Sequence, residues 1–134
     1  VPTPTLPDTI AVVREALLAQ TPITALVAGR IYDRIPAAPT WPLLVLDTVD
    51  EAEVDWYRWQ ARVQVNCWGP GPSSADEQAA RVLAMTVVAV SRDLRGPWTA
   101  GHIVNTWQVN MIPAPDDTTG RARFVVDVMV ETMP

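Results

Sequence analysis

Apolar and polar positions alternate most cleanly from Trp56 to Trp68, where Trp59, Ala61, Val63, Val65 and Cys67 interleave with Arg58, Gln60, Arg62, Gln64 and Asn66. A period of two is the pattern of a half-buried strand. This one is longer than most, which predicts a bend, a bulge or an extension past the sheet. The period changes after Gly69-Pro70-Gly71-Pro72. Ala80, Leu83, Val87, Val90 and Leu94 then recur at steps of three and four, a helical stripe that opens on a Ser74/Glu77 capping pair and ends near Gly96. Two more strands are predicted from Ile103, Trp107, Val109 and Met111, and from Phe124, Val126, Val128 and Val130.

The first third is punctuated by proline. Pro2, Pro4 and Pro7 predict an extended arm over residues 1–7, because proline removes a donor and restricts the residue before it. Asp8 or Thr9 is suited to cap a short amphipathic helix carrying Ile10, Val13, Leu17 and Leu18, and Thr21-Pro22 to open a second that Gly29 ends. Pro36 to Pro42 leads into Leu43-Leu44-Val45-Leu46, a candidate buried strand. Asp47 to Asp55 is so acidic that it reads as a solvated, mobile connection, and Pro113 to Gly120 as a projecting loop. The order α-α-β-β-α-β-β predicts one α+β domain over residues 8–134, a mainly antiparallel four-stranded sheet with helices packed on one face. Its expected core includes Leu17, Val63, Val65, Leu83, Val87, Val90, Trp107, Phe124, Val126 and Val128.

Composition narrows the function. With 134 residues, 49% hydrophobic and 19% charged, the chain has material for a single packed domain. Ten arginines, no lysine and 15 acidic residues leave a net charge of -5, which argues against gripping phosphate backbones as a main task. One cysteine and one histidine exclude the usual metal clusters and an internal disulfide. Cys67 follows the apolar alternation and reads as a small hydrophobe, and no motif joins it to His102. The spacing of Asp50, Glu51, Glu53 and Asp55 does not match a calcium loop, and Gly69 to Pro72 lacks the lysine of a phosphate loop. No apolar run approaches the roughly 20 residues of a membrane span, and the first residues do not resemble a signal peptide. The expectation is a soluble, unexported protein in a reducing compartment, with no cofactor, metal or catalytic residue: a binding or structural protein.

Two features point to association. Arg81, Met85, Val88, Arg92 and Arg95 form a second helical stripe that mixes basic and apolar groups, to be covered by a neighbouring copy or by the chain's own proline-rich segments. Among six tryptophans, Trp59 and Trp107 read as core, while Trp56, Trp68 and Trp98 at element boundaries are divided between local packing and an interface.

From about Asp8 to Glu131 the arrangement resembles the small tail terminator or tail-completion proteins of long-tailed bacteriophages and gene transfer agents. The resemblance is carried by the Ile10 to Leu18 helix, Ala25 to Gly29 followed by Arg30-Ile31-Tyr32, and Pro42-Leu43-Leu44-Val45. It continues through Val63-Gln64-Val65-Asn66-Cys67-Trp68, the Ala79 to Leu94 helix, Gly101-His102-Ile103 and Arg123-Phe124-Val125-Val126-Asp127-Val128. It implies a homo-oligomeric ring, generally sixfold, assembled in the host cytoplasm and sited at the head-tail junction of the virion. Such a ring stops growth of the tail tube, meets the major tail tube protein on one face and a head-neck or connector protein on the other. DNA would pass through its lumen without sequence-specific recognition, and no membrane is involved. On this reading Arg81, Met85, Val88, Arg92 and Arg95 meet a neighbour's Asp50, Glu51, Glu53, Asp55 and Trp56. Asp116, Asp117, Pro2 and Pro4 are the candidates for axial contacts with tube or neck. The alternatives are a head-completion or stopper protein of the neck and, from another class, an adaptor that binds host proteins.

Overall fold

A computed structural model describes residues 7–55 and 57–134. The proposed axial residues Pro2 and Pro4 and the proposed interface residue Trp56 lie outside the described residues. Helix α1, Thr9–Leu18, opens where the Asp8 carboxylate accepts the N–H groups of Ile10 and Ala11 at 3.1 and 3.3 Å. It buries Thr9, Val12, Val13, Ala16 and Leu17. Helix α2, Thr21–Val27, is capped by Gln20 rather than Thr21, and the chain leaves it through left-handed Ala28 and Gly29. Strands β1 (Ile31–Tyr32), β2 (Leu43–Asp55) and β3 (Arg58–Trp68) follow.

Helix α3, Ser74–Val90, continues into a 3-10 turn, Ser91–Leu94. Its capping box lies one residue ahead of the expected pair: the Ser73 hydroxyl accepts from the Asp76 N–H, and the Asp76 carboxylate accepts from the Ser73 N–H, both at 3.1 Å. Caps of this kind contribute about 1 kcal/mol. The turn before it requires glycine, because a Cβ on Gly69 would sit 2.6 Å from the Asp76 carbonyl oxygen. Strands β4 (Gly96–Trp98), β5 (Gly101–Pro113) and β6 (Arg123–Met133) complete the chain.

The sheet has six strands in the order β1-β2-β3-β6-β5-β4, and β1 runs parallel to β2 while the other pairs are antiparallel. The expected four strands are its centre; the two short edge strands and the parallel pair correct the predicted four-stranded sheet. Phe124, Val126, Val128 and Val130 of β6 pack with Val63 and Val65 of β3, with Leu83, Val87 and Val90 of α3, and with Leu17 of α1. All of the helices are committed to that face. Glu15 ties α1 to the β4–β5 turn by accepting the N–H groups of Thr99 and Ala100 at 2.8 Å each, and these donors hold its carboxyl below the ordinary range.

Three expectations fail for physical reasons. Asp47 to Asp55 is not a loose connection but the outer half of β2, paired to β3 through Asp55 and Arg58. It is a ribbon exposed on both faces, so acidic residues fill both alternations. Trp107 is only half-buried: β5 carries irregularities between Ile103 and Asn105 and between Trp107 and Asn110, so Thr106 opposes Val130 on the core side and Trp107 opposes Met129 on the other. Trp59, beside the hairpin tip opposite Glu53, is half-buried and lies outside the core cluster.

Leu83 is 1% exposed at the centre of this packing. Leu83→Ala is expected to lower the unfolding free energy by about 2–5 kcal/mol, read from a denaturant curve; an unchanged midpoint would remove Leu83 from the core.

Candidate assembly surface

Because side chains alternate along a strand, committing one face of the sheet to the helices leaves the other without a covering layer. Its residues form cross-strand rows. One row is Asp47, Gln64, Asp127 and Asn110; the next is Asp50, Arg62, Met129 and Trp107. Ion pairs join the rows diagonally, Arg62 to Asp127 at 2.9 Å and Arg58 to Glu131 at 3.1 Å. Asp127 is 6% exposed although it faces away from the helices. Its Oδ2 accepts from Arg62, while its Oδ1 is buried with no hydrogen-bond partner among the described residues. A cavity of ≈ 350 Å³ opens beside it, lined by Arg62, Asn110, Asp127, Val128 and Met129.

The ribbon is the acidic extreme of this surface, carrying Asp50, Glu51, Glu53 and Asp55. Asp50 and Asp55 lie on the uncovered side and Glu51 and Glu53 on the opposite one, so the strand splits the group. Among the described residues no group of three or more potential ligands could hold a metal ion. Partial burial pushes the Asp55 carboxyl up, but the Arg58 guanidinium at 2.8 Å and the N–H groups of Tyr57 and Arg58 outweigh it and hold the carboxyl below its ordinary range. The hairpin end is thus locked with Asp55 charged.

Helix α3 presents Arg81, Met85 and Val88, with Arg92 following in the 3-10 turn and Arg95 just after it. Met85 is 52% exposed, and a shallow apolar cleft runs from Met85, Val88 and Ala89 to Val109, Asn110 and Met111, so Asn110 borders both this cleft and the cavity beside Asp127. Among the described residues, the chain's proline-rich segments do not line that cleft. Arg95 donates to the Arg92 carbonyl at 3.3 Å, whereas the Arg81 and Arg92 side chains make no hydrogen bond or ion pair among the described residues.

Trp41, Trp68 and Trp98 turn inward. Trp68 is 7% exposed and packs against Trp41 with ring centroids 5.7 Å apart. Arg121 and Arg123 lie over the Trp41 and Trp68 rings at 4.0 and 4.8 Å. The Trp98 indole donates to the Leu94 carbonyl at 2.7 Å. Local packing therefore accounts for Trp68 and Trp98. In the Pro113 to Gly120 segment, the Asp116 carboxylate accepts from the Thr119 hydroxyl and N–H at 2.6 and 2.8 Å, which holds its carboxyl below the ordinary range. Asp116 is used within its own turn, and Asp117 is exposed.

Cys67 is fully buried, and burial pushes its thiol far up, so it is no nucleophile at neutral pH. His102 is half-buried in β5 opposite Met133 and Pro97. The residues that the sequence reading missed are Asn110 and Asp127; Arg62 reads only as part of an arginine-plus-aromatic interface patch, without its ion pair. Asn110 and Asp127 registered only as the polar half of an alternation, since neither the ion pair nor the burial of Asp127 has a local signature.

The model of the tail completion protein gp17 family matches residues 11–131. The chain belongs to this family. It is therefore a tail-completion protein, a phage tail structural protein and not an enzyme. A chain of the virion of a native gene transfer agent (GTA) particle has the same fold, with a TM-score of 0.69 at 16% identity, over 94% of this chain and 95% of that one. No curated protein sequence matches the tail-completion chain.

Asp127 is buried while Arg62 is half-exposed, so removing Arg62 leaves a buried carboxylate without its partner. Arg62→Met is expected to cost about 1–3 kcal/mol of stability, the range for a buried polar group left unsatisfied, because Asp127 loses its one donor. A denaturant midpoint identical to wild type would show that Asp127 does not depend on Arg62.

Proposed function

We propose that this tail-completion protein forms a closed, six-membered ring at the head-proximal end of the tail tube. The ring ends tube polymerisation and offers the docking surface for the head or its neck. Family membership supports the tail role, and the observation that carries the ring is the presence of two unlike, complementary surfaces on one small domain. One is the Arg81, Met85, Val88, Arg92 and Arg95 stripe; the other is the acidic ribbon with Asp50, Glu51, Glu53 and Asp55. A contact between unlike surfaces repeats around an axis and closes when the rotation allows. Exposed apolar groups flanked by arginine are the composition of such interfaces.

The ring needs distinct ends as well. One imitates the next tube layer, and the other presents something that a further layer cannot match. The Asp116–Asp117 turn, of which Asp117 is the free member, and the N-terminal arm with Pro2 and Pro4 are the proposed axial contacts with the tube protein and the neck connector. Six copies of a chain with net charge -5 surround the passing DNA with repulsive charge, which favours transit over binding. The GTA particle match is consistent with assembly among other virion proteins in the virion.

The direct test is a polymerisation assay with purified tail tube protein. Added in small molar amounts, the wild-type chain is expected to halt tube growth and to sediment as a ring. Arg92→Glu should leave the far-ultraviolet spectrum unchanged, sediment as a smaller species and fail to halt growth. Unhindered tube elongation in the presence of wild-type protein would refute capping, and undiminished ring formation by Arg92→Glu would refute the interface.

A further inference from the structure

Asp127 is an anomaly in a monomer. A carboxylate more than nine-tenths buried keeps one oxygen without a donor among the described residues, beside a cavity large enough for a planar cation and lined by Arg62 and Asn110. An uncompensated buried oxygen of this kind is destabilising unless a donor arrives from outside. The chain has no lysine, so a protein cation supplied by another copy is a guanidinium.

The arginines divide cleanly. Arg14, Arg30 and Arg123 donate to the carbonyls of Ile31, Pro42 and Ala114. Arg121 donates to Pro70, Arg95 to Arg92, and Arg34 lies 4.0 Å from Asp33. Arg58 and Arg62 are ion-paired. Among the described residues only Arg81 and Arg92 hold no partner, and both project from the α3 stripe beside exposed Met85.

We propose that the cavity beside Asp127 is the receptor for a guanidinium of a second copy, from Arg81 or Arg92, so that the α3 stripe of one protomer lies across the uncovered sheet face of the next. The contact rests on the ring reading and specifies how neighbours meet. Arg81 and Arg92 are about 16 Å apart along the helix. Asp127 and Asp47 share a cross-strand row, with β3 between them, and are about 10 Å apart. Flexible arginine stems bridge that difference, so one guanidinium enters the cavity while the other meets the acidic ribbon. The incoming cation completes an Arg–Asp–Arg arrangement in which Asp127 accepts from both sides.

Disulfide trapping tests this at exposed positions. Asn110→Cys is combined with Arg81→Cys in one variant and with Arg92→Cys in another; native Cys67 is buried and does not compete. One of the two pairs is expected to give covalent multimers under mild oxidation, with the single-cysteine variants giving none. Asp127→Asn should raise the protein concentration needed for half-assembly at least tenfold, and adding Arg→Gln at the trapping arginine should raise it no further. An assembled protein that traps with neither pair, or an Asp127→Asn variant that assembles like wild type, overturns the contact and leaves the ring standing. A wild-type chain that stays monomeric at every concentration overturns the ring and this contact with it.

Discussion

Burial of Phe124, Val126, Val128 and Val130 beneath α3 forces the intervening residues of β6, Val125, Asp127, Met129 and Glu131, onto a face that no helix of this chain covers. The constraint is geometric: a strand has two faces, and this fold supplies helices for one. Because β6 is flanked by β3 and β5 along its length, whatever stands on its uncovered side becomes the middle of a surface rather than an edge. A charged pair between Arg62 and Asp127 occupies that middle, where a soluble monomer needs only scattered polar groups.

The sheet's edges are handled differently from its face. β2 runs past its two-residue pairing with β1 as an acidic, irregular ribbon, and β5 carries two irregularities beyond its pairing with β4. Charge and bulges both discourage strand-to-strand addition. In the proposed ring, association is thereby directed away from open-ended sheet extension and toward a contact between the helical stripe and the uncovered face. A structural component that must stop a polymer benefits from edges that cannot continue one.

Much of this fold was legible because its periods are unbroken. The α3 stripe of Ala80, Leu83, Val87, Val90 and Leu94 and the alternations of β3 and β6 each persist long enough to separate core from surface. β1 and β4, at two and three residues, are too short to show any period. The acidic half of β2 escaped because a ribbon exposed on both sides has no apolar alternation, so its composition mimics a loop. Trp107 was misplaced because one extra residue inverts the alternation until a second restores it, and neither irregularity is marked by glycine or proline. At the assembly surface the α3 stripe was readable as an unexplained mixture of arginine and methionine. Asp127 was not, since its burial depends on neighbours from β3 and β5 that only the folded sheet brings together.

The central claim is that this protein completes one end of a tube, and its position in the particle tests that most directly. Electron cryomicroscopy of intact virions carrying a small tag on the chain is the measurement. The account predicts a single ring of tagged density per tail, at the end nearest the head. Tagged density repeated along the tube, or missing from the particle, would contradict it.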